Sequence, residues 1–530
     1  MRDFTLRDSL SVKAAAVLLV SLLLLALNSH AQDAGDDPLV SDYPPSGDRL
    51  RDLADRLDFS IGFAARYDWA ALEQAELYET ITAAEFNIIT PENSVKWINV
   101  HPLQDDYDFG DMDTLRAFAD SNGMVIHGHP LTWYGQNPLW AEELLPSELE
   151  LAMQQHIAFV VGRYKGGIKV WDVVNEALND EGTDYRVDNN IFYAAMGAEY
   201  IDKAFIAARA ADSAAVLLYN DFGIGWLNAK SDRAFELVTD LQDRDIPVDG
   251  VGLQMHIDHT FEHGEGFSAN MQRIADRGLE VWLTEFDVGV LQTTDYEKQG
   301  EVYEDIIQRC LMQPACKAVQ IWGLDDFHSW RPFFDPLPFD DNFRIKPAYY
   351  GMQRALMSQP VHPESCILTD AVVQSGAVFP GASGSNNSGN LQPAISCDQV
   401  ALANGFASVT VRYRNPGVDT PSLSLHVGEQ ELGQVELPPT VDSDDGDYLT
   451  IKLPVVPVAG LSKLVLEFEG QAGDIGLDAL LFSDPIGSLL GTDSASNSAG
   501  NESSGGAAGA LILTWLMFLA LRRVRGRPAA

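Results

Sequence analysis

Cations are scarce in this chain. Lys and Arg number 35 against 77 Asp and Glu, for a formal charge of −42 over 530 residues. Phosphate backbones and anionic membrane surfaces are held by clustered cations, so nucleic acid is excluded as a partner. A neutral substrate fits better, and the acidity also suits solubility in a salty medium, where ions screen self-repulsion. Cysteine is scarce too: there are four, with no CxxC pair and no Cys/His zinc spacing. A nucleophile elbow and a phosphate-binding glycine loop are both missing, and no Trp occurs between residues 331 and 514. Apolar residues at 46% and charged residues at 21% exclude a disordered or collagen-like chain. The length suits two or three domains.

The ends read as processing segments. Residues 1–31 carry Arg2, Arg7 and Lys13, then the apolar run Ala14 to Leu27 and small residues at Ser29 and Ala31. That is the layout of a signal peptide; the run is too short to span a bilayer. Residues 32–47 form an acidic leader. At the other end a Gly/Ser/Asn linker, 485–506, precedes the apolar Ala507 to Leu521 and Arg522, Arg523, Arg525 and Arg527. The arginines would stay cytoplasmic and the main body outside. Residues 507–530 resemble the Gly-Gly C-terminal sorting tags of Gram-negative bacteria, which implies a membrane sorting protease as partner and an extracellular or cell-surface location. Export makes disulfides the natural state of Cys310, Cys316, Cys366 and Cys397, with three pairings open and the nearest-neighbour one the simplest.

Between residues 48 and 357, eight short β-like runs alternate with helical patterns. The runs are 59–64, 85–89, 124–129, 168–174, 215–220, 250–256, 280–284 and 318–322. The helical segments include 113–122, 146–164, 201–211, 231–244 and 296–310. This alternation predicts an α/β fold, a (β/α)₈ barrel. Polar residues recur where the strands end: Glu92, Asn93 and Lys96; His127, His129, Trp133 and Gln136; Asn175 and Glu176; Asn220 and Asp221; Gln254 and His256; Glu285 and Asp287; Trp322. Barrel enzymes build their sites there. Carboxylates, amides and tryptophans together suit glycoside hydrolysis, which needs two opposed carboxyl groups, hydrogen bonds for hydroxyls and ring faces for the sugar.

The segments PENSVKW (91–97), GHPLTWYGQNPLW (128–140), WDVVNEAL (171–178), LYND (218–221), GLQMH (252–256), LTEFD (283–287) and WGLDDFHSW (322–330) resemble family-10 glycoside hydrolases, mainly endo-β-1,4-xylanases that cleave with retention. The resemblance implies Glu176 as acid/base and Glu285 as nucleophile, with His256 and Asp287 beside the nucleophile and Asn175 on the sugar 2-hydroxyl. It implies His129 and Gln254 at the −1 subsite, and Glu92, Asn93, Lys96 and Gln136 at −2. Trp133, Trp322 and Trp330 would wall the glycone side. It also implies a structural Cys310–Cys316 bond and xylan or xylo-oligosaccharides as substrate, with no metal or cofactor in the chemistry. Trp140, Asp172 and His127 read as packing or hydrogen-bonding residues. Three positions depart from the family pattern: Tyr134 replaces a usual His, and Phe222-Gly223 replaces Tyr-Asn. The replaced Tyr and Asn border the leaving-group side, so a retaining glycosidase of short xylo-oligosaccharides, or of another β-1,4-glycan, is the alternative. A non-catalytic xylan-binding surface protein is disfavoured by the presence of both glutamates.

From residue 362 to 484 the period changes to two, as in Val409, Val411 and Tyr413, or Leu464, Leu466 and Phe468. This predicts a smaller all-β domain, a jelly-roll sandwich. Residues 401–483 resemble family 6 carbohydrate-binding modules. The stretch 381–390 is a linker or, with Cys366 bonded to Cys397, a loop. Gly476 stands where the family has a sugar-binding Asn, Tyr448 lies near the place of a usual Trp, and Asp478 matches a residue that often holds structural calcium.

Overall fold

The structure is a computed structural model. It describes residues 40–290 and 295–361, and beyond them strand segments with adjoining residues between 367 and 485. The expected signal peptide, the C-terminal segments, the 381–390 stretch, Tyr448 and Cys366 lie outside the described residues, and of Cys397 only the backbone is described.

Eight parallel strands close into a barrel: β1 (Ser60–Ala65), β2 (Ile88–Pro91), β3 (Val125–Gly128), β4 (Val170–Asn175), β5 (Val216–Asp221), β6 (Gly250–Leu253), β7 (Glu280–Gly289) and β8 (Cys316–Ile321). Each pairs with its successor, and β8 pairs with β1 through Ser60 opposite Ala318. Parallel strands buried on both faces read as near-continuous apolar runs, and β4, VWDVVN, is buried throughout. The outer helices include α1 (Leu50–Arg56), α2 (Ala75–Glu85), α3 (Gly110–Asn122), α4 (Pro146–Arg163), α5 (Glu199–Ala211), α6 (Ala229–Asp243), α7 (Gly264–Asp276), α8 (Tyr296–Leu311) and α9 (Pro347–Met357). Their starts are chemically marked. Pro146 opens α4, where a missing N–H costs nothing, and Glu148 accepts from the Leu145 N–H at 3.0 Å. Asn228 caps α6 by accepting from the N–H groups of Lys230 and Ser231 at 2.8 and 3.0 Å.

Two apolar layers hold the barrel. The larger lies between strands and helices. The smaller, Ile88, Val170, Leu218, Trp282 and Ala318, comes from five strands and lies towards their N-terminal ends, so the polar strand ends open on the opposite face.

One strand reading in the barrel shifts. Glu85 does not begin β2; it ends α2, fully buried, and its carboxylate accepts from Tyr43 Oη (2.9 Å), Tyr349 Oη (2.8 Å) and the Leu50 N–H (2.9 Å). The short apolar stretch after it did not distinguish helix end from strand start. Part of the expected leader is anchored as well. Ser41 bridges Ile345, and Gln353 on α9 donates to the carbonyls of Ser46 and Asp48. Cys310 and Cys316 are bonded, joining the end of α8 to the start of β8.

Beyond α9, Gln359–Val361 pairs antiparallel with Leu480–Phe482, so the expected gap between the barrel and the following strands is itself a strand. The later strands form two antiparallel sheets around a second core that includes Val409, Val411, Tyr413, Leu423, Leu425, Leu466 and Phe482. Asp478, expected near calcium, is instead in a buried ion pair with Arg412. Among the described residues no group of His, Cys, Asp and Glu is placed to hold a metal ion.

Candidate active site

The two strands that carry the expected catalytic carboxylates each contain a bulge. Along β4 and β5, Asp172 faces Leu218 while Val174 faces Tyr219, so β4 has one extra residue. Along β7 and β8, Leu283 faces Val319 while Phe286 faces Ile321, so β7 has one extra residue. A bulge breaks the alternation of side chains and re-aims those that follow. On β7 the result is that consecutive residues Thr284 and Glu285 both reach Asn220. Thr284 Oγ1 donates to Asn220 Oδ1 at 2.6 Å, and Asn220 Nδ2 donates to Glu285 Oε1 at 2.8 Å.

Glu176 follows the β4 bulge with φ 56°, the left-handed region. A side chain there costs about 1–2 kcal/mol, and the peptide is held on both sides. Its N–H donates to Asn220 O at 2.8 Å, and its carbonyl accepts from Arg186 Nε at 3.2 Å. Its carboxylate accepts from Gln254 Nε2 (3.1 Å) and Asn175 Nδ2 (3.3 Å). Asn175 Oδ1 in turn accepts from Asn220 Nδ2 at 2.9 Å and Gln254 Nε2 at 3.2 Å. One amide network therefore spans both glutamates.

The electrostatics separate them. Burial, then the negative charges of Asp221 and Glu285, raise the Glu176 pKa. Glu285 faces two donors, Asn220 Nδ2 and His256 Nε2, the latter 3.3 Å from its Oε2; His129 Nδ1, 3.8 Å from Oε1, is bonded instead to Asp172. Burial pulls the His256 pKa down, but Asp287, 3.0 Å from Nδ1, and Glu285 outweigh it and raise it to about 9. His256 is thus an imidazolium that donates from both nitrogens. Asp287 also accepts from Trp330 Nε1 (2.9 Å) and pairs with Arg331.

The other expected residues gather on the same rim. Lys96 Nζ donates to Asn93 Oδ1 at 2.9 Å and sits 5.2 Å from the ring of Trp133. Burial lowers the Lys96 pKa, opposed by the negative charges of Glu285, Glu92 and Glu176. Gln136, exposed, has φ 53° and its carbonyl accepts from the Ile98 N–H. Trp322 packs edge-on against His129 at 5.0 Å, and Trp330, 56% exposed, tilts over His256 at 4.8 Å. Asp172 lies 2.8 Å from His129 Nδ1 and 3.0 Å from His127 Nε2. Burial opposes its charge, but His127 and His129 lower its pKa to about 2. Gln320 Nε2 donates to His127 Nδ1 at 2.8 Å, while His127 Nε2 lies close to Asp172 without hydrogen-bond alignment. Asp172 and His127 are therefore supports of His129, and Trp140 packs on Trp97 at 5.9 Å.

The three departures from the family pattern fall together. The Arg186 guanidinium stacks on Tyr134 at 4.3 Å and reaches within 5.9 Å of Phe222. Lys230 Nζ sits 3.3 Å from the Phe222 ring centre and pairs with Asp221 at 2.8 Å. Gly223 has φ 68°, a conformation that Asn and Gly both accept, so this exchange keeps the turn. The residues missed in the sequence are Asn220, as the bridge between both glutamates, and Arg186, Lys230 and Arg331. The position of Asn220, ending β5 beside Asn175, was the available signal. The three cations come from distant loops or a helix and left none.

A barrel whose strand ends hold two carboxylates, one raised in pKa and one facing donors, defines a glycoside hydrolase. Residues 50–355 match the model of glycosyl hydrolase family 10. The chain is 40% identical over 331 residues to endo-1,4-beta-xylanase B of Thermotoga neapolitana, covering 60% of this chain and 94% of that protein. Xylanase 10B of Thermotoga petrophila, solved with xylobiose, superposes with TM-score 0.57 at 40% identity over 59% of this chain and 98% of its own. Xylanase10C of Cellvibrio japonicus, solved with xylopentaose, gives TM-score 0.56 at 31% identity, over 59% of this chain and 70% of its own. The chain belongs to glycosyl hydrolase family 10.

Proposed function

We infer that the protein is an endo-1,4-β-xylanase that hydrolyses internal bonds of xylan with retention of configuration. Glu285 attacks the anomeric carbon while Glu176 gives its proton to the leaving oxygen, forming a glycosyl-enzyme. Glu176 then takes a proton from water, which attacks the same carbon and releases Glu285. Two inversions restore the configuration. The observation that carries this reading is the Asn220–Asn175–Gln254 network, which touches both glutamates while their surroundings differ in sign. A raised pKa suits the group that must begin protonated, and donors suit the group that must begin charged.

Asn175 is assigned the 2-hydroxyl at −1, where Gln254 and His129 also line the subsite. His256 and Asp287 orient Glu285. Glu92, Asn93, Lys96 and Gln136 are assigned to −2, and Trp133, Trp322 and Trp330 to the walls. Export is supported by residues 1–31, and surface sorting by a membrane protease is supported by residues 507–530. The β-sandwich is assigned as an accessory module of the family 6 type. Its aromatic side chains Phe406, Tyr413 and Phe482 are buried in its core, so any sugar contact would fall to other residues. The rebuilt leaving-group side, with Phe222 under Lys230, favours product lengths different from those of relatives with the usual Tyr-Asn.

Glu285→Ala is expected to abolish xylan hydrolysis, and azide to restore turnover of an activated aryl xyloside with an inverted glycosyl azide as product. Azide rescue of Glu176→Ala is expected to give the retained glycosyl azide, because azide then attacks the glycosyl-enzyme; an inverted azide from Glu176→Ala, with none from Glu285→Ala, would exchange the two roles.

A further inference from the structure

Outside the catalytic rim, the outer flank of the barrel carries an open cavity of about 590 Å³ between α4 and the segment 101–107. That volume falls within the roughly 300–1,000 Å³ of small-molecule sites. Its ring-bearing walls are Tyr107, Trp140 and Phe159, and its polar walls include Gln104, Asp105 and Gln155. Phe159 is 53% exposed, a large ring left in water on a helix that buries Leu149, Met153, Ile157, Val160 and Val161.

The rings are held in place from behind. Trp140 Nε1 donates to the His101 carbonyl at 3.1 Å, and its indole stacks on Trp97. His101 stacks on Tyr107 at 3.8 Å, and Tyr107 meets Phe159 at 4.4 Å. His101 Nε2–H donates to the Gln104 carbonyl at 3.1 Å, so its Nδ1 accepts from His156 Nδ1–H at 3.2 Å. The trough is thus preorganised, and little ordering cost remains for a ligand to meet. By contrast, the side chains of Gln104, Asp105 and Gln155 are exposed and make no hydrogen bond among the described residues. Two amides and a carboxylate stand free around ring faces.

We propose that this trough is a second binding site for a segment of the xylan polymer, distinct from the catalytic cleft; this rests on the activity proposed above. Ring faces take the C–H side of a pyranose, and free amides and carboxylates take its hydroxyls. No cation lines the cavity, and its one charged group is Asp105, so a polyanion is disfavoured and a neutral, hydroxyl-rich chain fits. The site lies one aromatic layer, Trp97 against Trp140, behind Lys96 and Asn93 at the assigned −2 pocket. A long polymer can engage both places, and the second contact then acts at high effective concentration. A short oligosaccharide in the cleft gains nothing from it.

The test uses the full chain in two backgrounds. In Glu285→Ala, retention on insoluble linear xylan is measured with and without Phe159→Ala plus Gln155→Ala. In the active enzyme, kcat/KM on a short xylo-oligosaccharide is measured for the same pair. Loss of about one ring contact corresponds to roughly 2- to 12-fold weaker retention, with oligosaccharide turnover unchanged. The polar variant Gln104→Ala plus Gln155→Ala keeps every ring and is expected to weaken retention in the same direction. Unchanged retention in both variants overturns the second site while leaving the xylanase reading intact. A parent chain that turns over no xylo-oligosaccharide overturns the activity itself, and with it this site; the oligosaccharide assay tells the two failures apart.

Discussion

The proposed division of labour between Glu176 and Glu285 rests on what faces each of them. Glu176 stands in a buried corner with Asp221 as the largest influence on its charge after burial itself. Asp221 is tied to Lys230 Nζ, Tyr219 Oη and the Phe222 N–H, yet its charge still raises Glu176. Removing that charge in Asp221→Asn leaves Lys230 uncompensated, and both changes favour ionised Glu176. Its pKa therefore falls. In the proposed mechanism Glu176 begins protonated, so the basic limb of the kcat/KM–pH profile is expected to move to lower pH while the acidic limb stays. A basic limb that stays put, or moves up, would refute this role for Asp221. Glu176→Ala is expected to lower kcat on xylan about 10²–10⁴-fold. The loss is smaller on aryl xylosides, whose leaving groups need no proton; stopped and steady-state assays on both substrates test it.

Individual elements depend on buried polar groups whose partners come from afar. The carboxylate of Glu85 ends α2 and ties it to Tyr43, Tyr349 on α9 and the first residue of α1. Burial raises its pKa, opposed by these three donors. Glu85→Ala would leave a buried N–H and two hydroxyls without an acceptor. The expected loss is about 2–4 kcal/mol, between the cost of one and of several orphaned groups. Urea unfolding measures it, and a loss under 1 kcal/mol, taken as roughly one ordinary hydrogen bond, would mean water replaces the carboxylate. The bulges on β4 and β7 act at the same scale. Each adds one residue to a strand, and each precedes or contains a glutamate of the site.

At the scale of the whole molecule, the second β-rich region is joined to the barrel by chemistry and not only by chain connection. Arg412, fully buried, pairs with Asp478 and also donates to Gln272 Oε1 (3.3 Å) and to the Ser268 carbonyl (3.2 Å), both on α7. Thr450 Oγ1 donates to Glu265 at 3.1 Å, and Met312 packs with Ala479 and Leu481. Breaking a buried pair from one side costs about 3–5 kcal/mol. Arg412→Ala is thus expected to split a single calorimetric unfolding transition into two, with the β-rich region melting first. One transition at an unchanged temperature would show that the contact carries no coupling. The sequence by itself determined the barrel, because eight alternations of apolar run and helical period admit few other architectures. It brought Asn175, Glu176, Gln254, His256, Glu285 and Asp287 forward as candidates along the C-terminal halves of the barrel strands and just beyond them, while their individual roles came from the family resemblance and stay proposals. Only the tertiary structure decided which side chains touch. Two bulges shift the side-chain alternation in β4 and β7, and Asn220 meets Glu285 across 65 positions. Arg186, Lys230 and Arg331 reach the rim from elements whose local pattern carries no trace of it. Asp478 shows the same limit. Its place in the sequence suggested a cation, and the ion that meets it is an arginine 66 residues away, because a buried carboxylate takes whichever charge the packing brings.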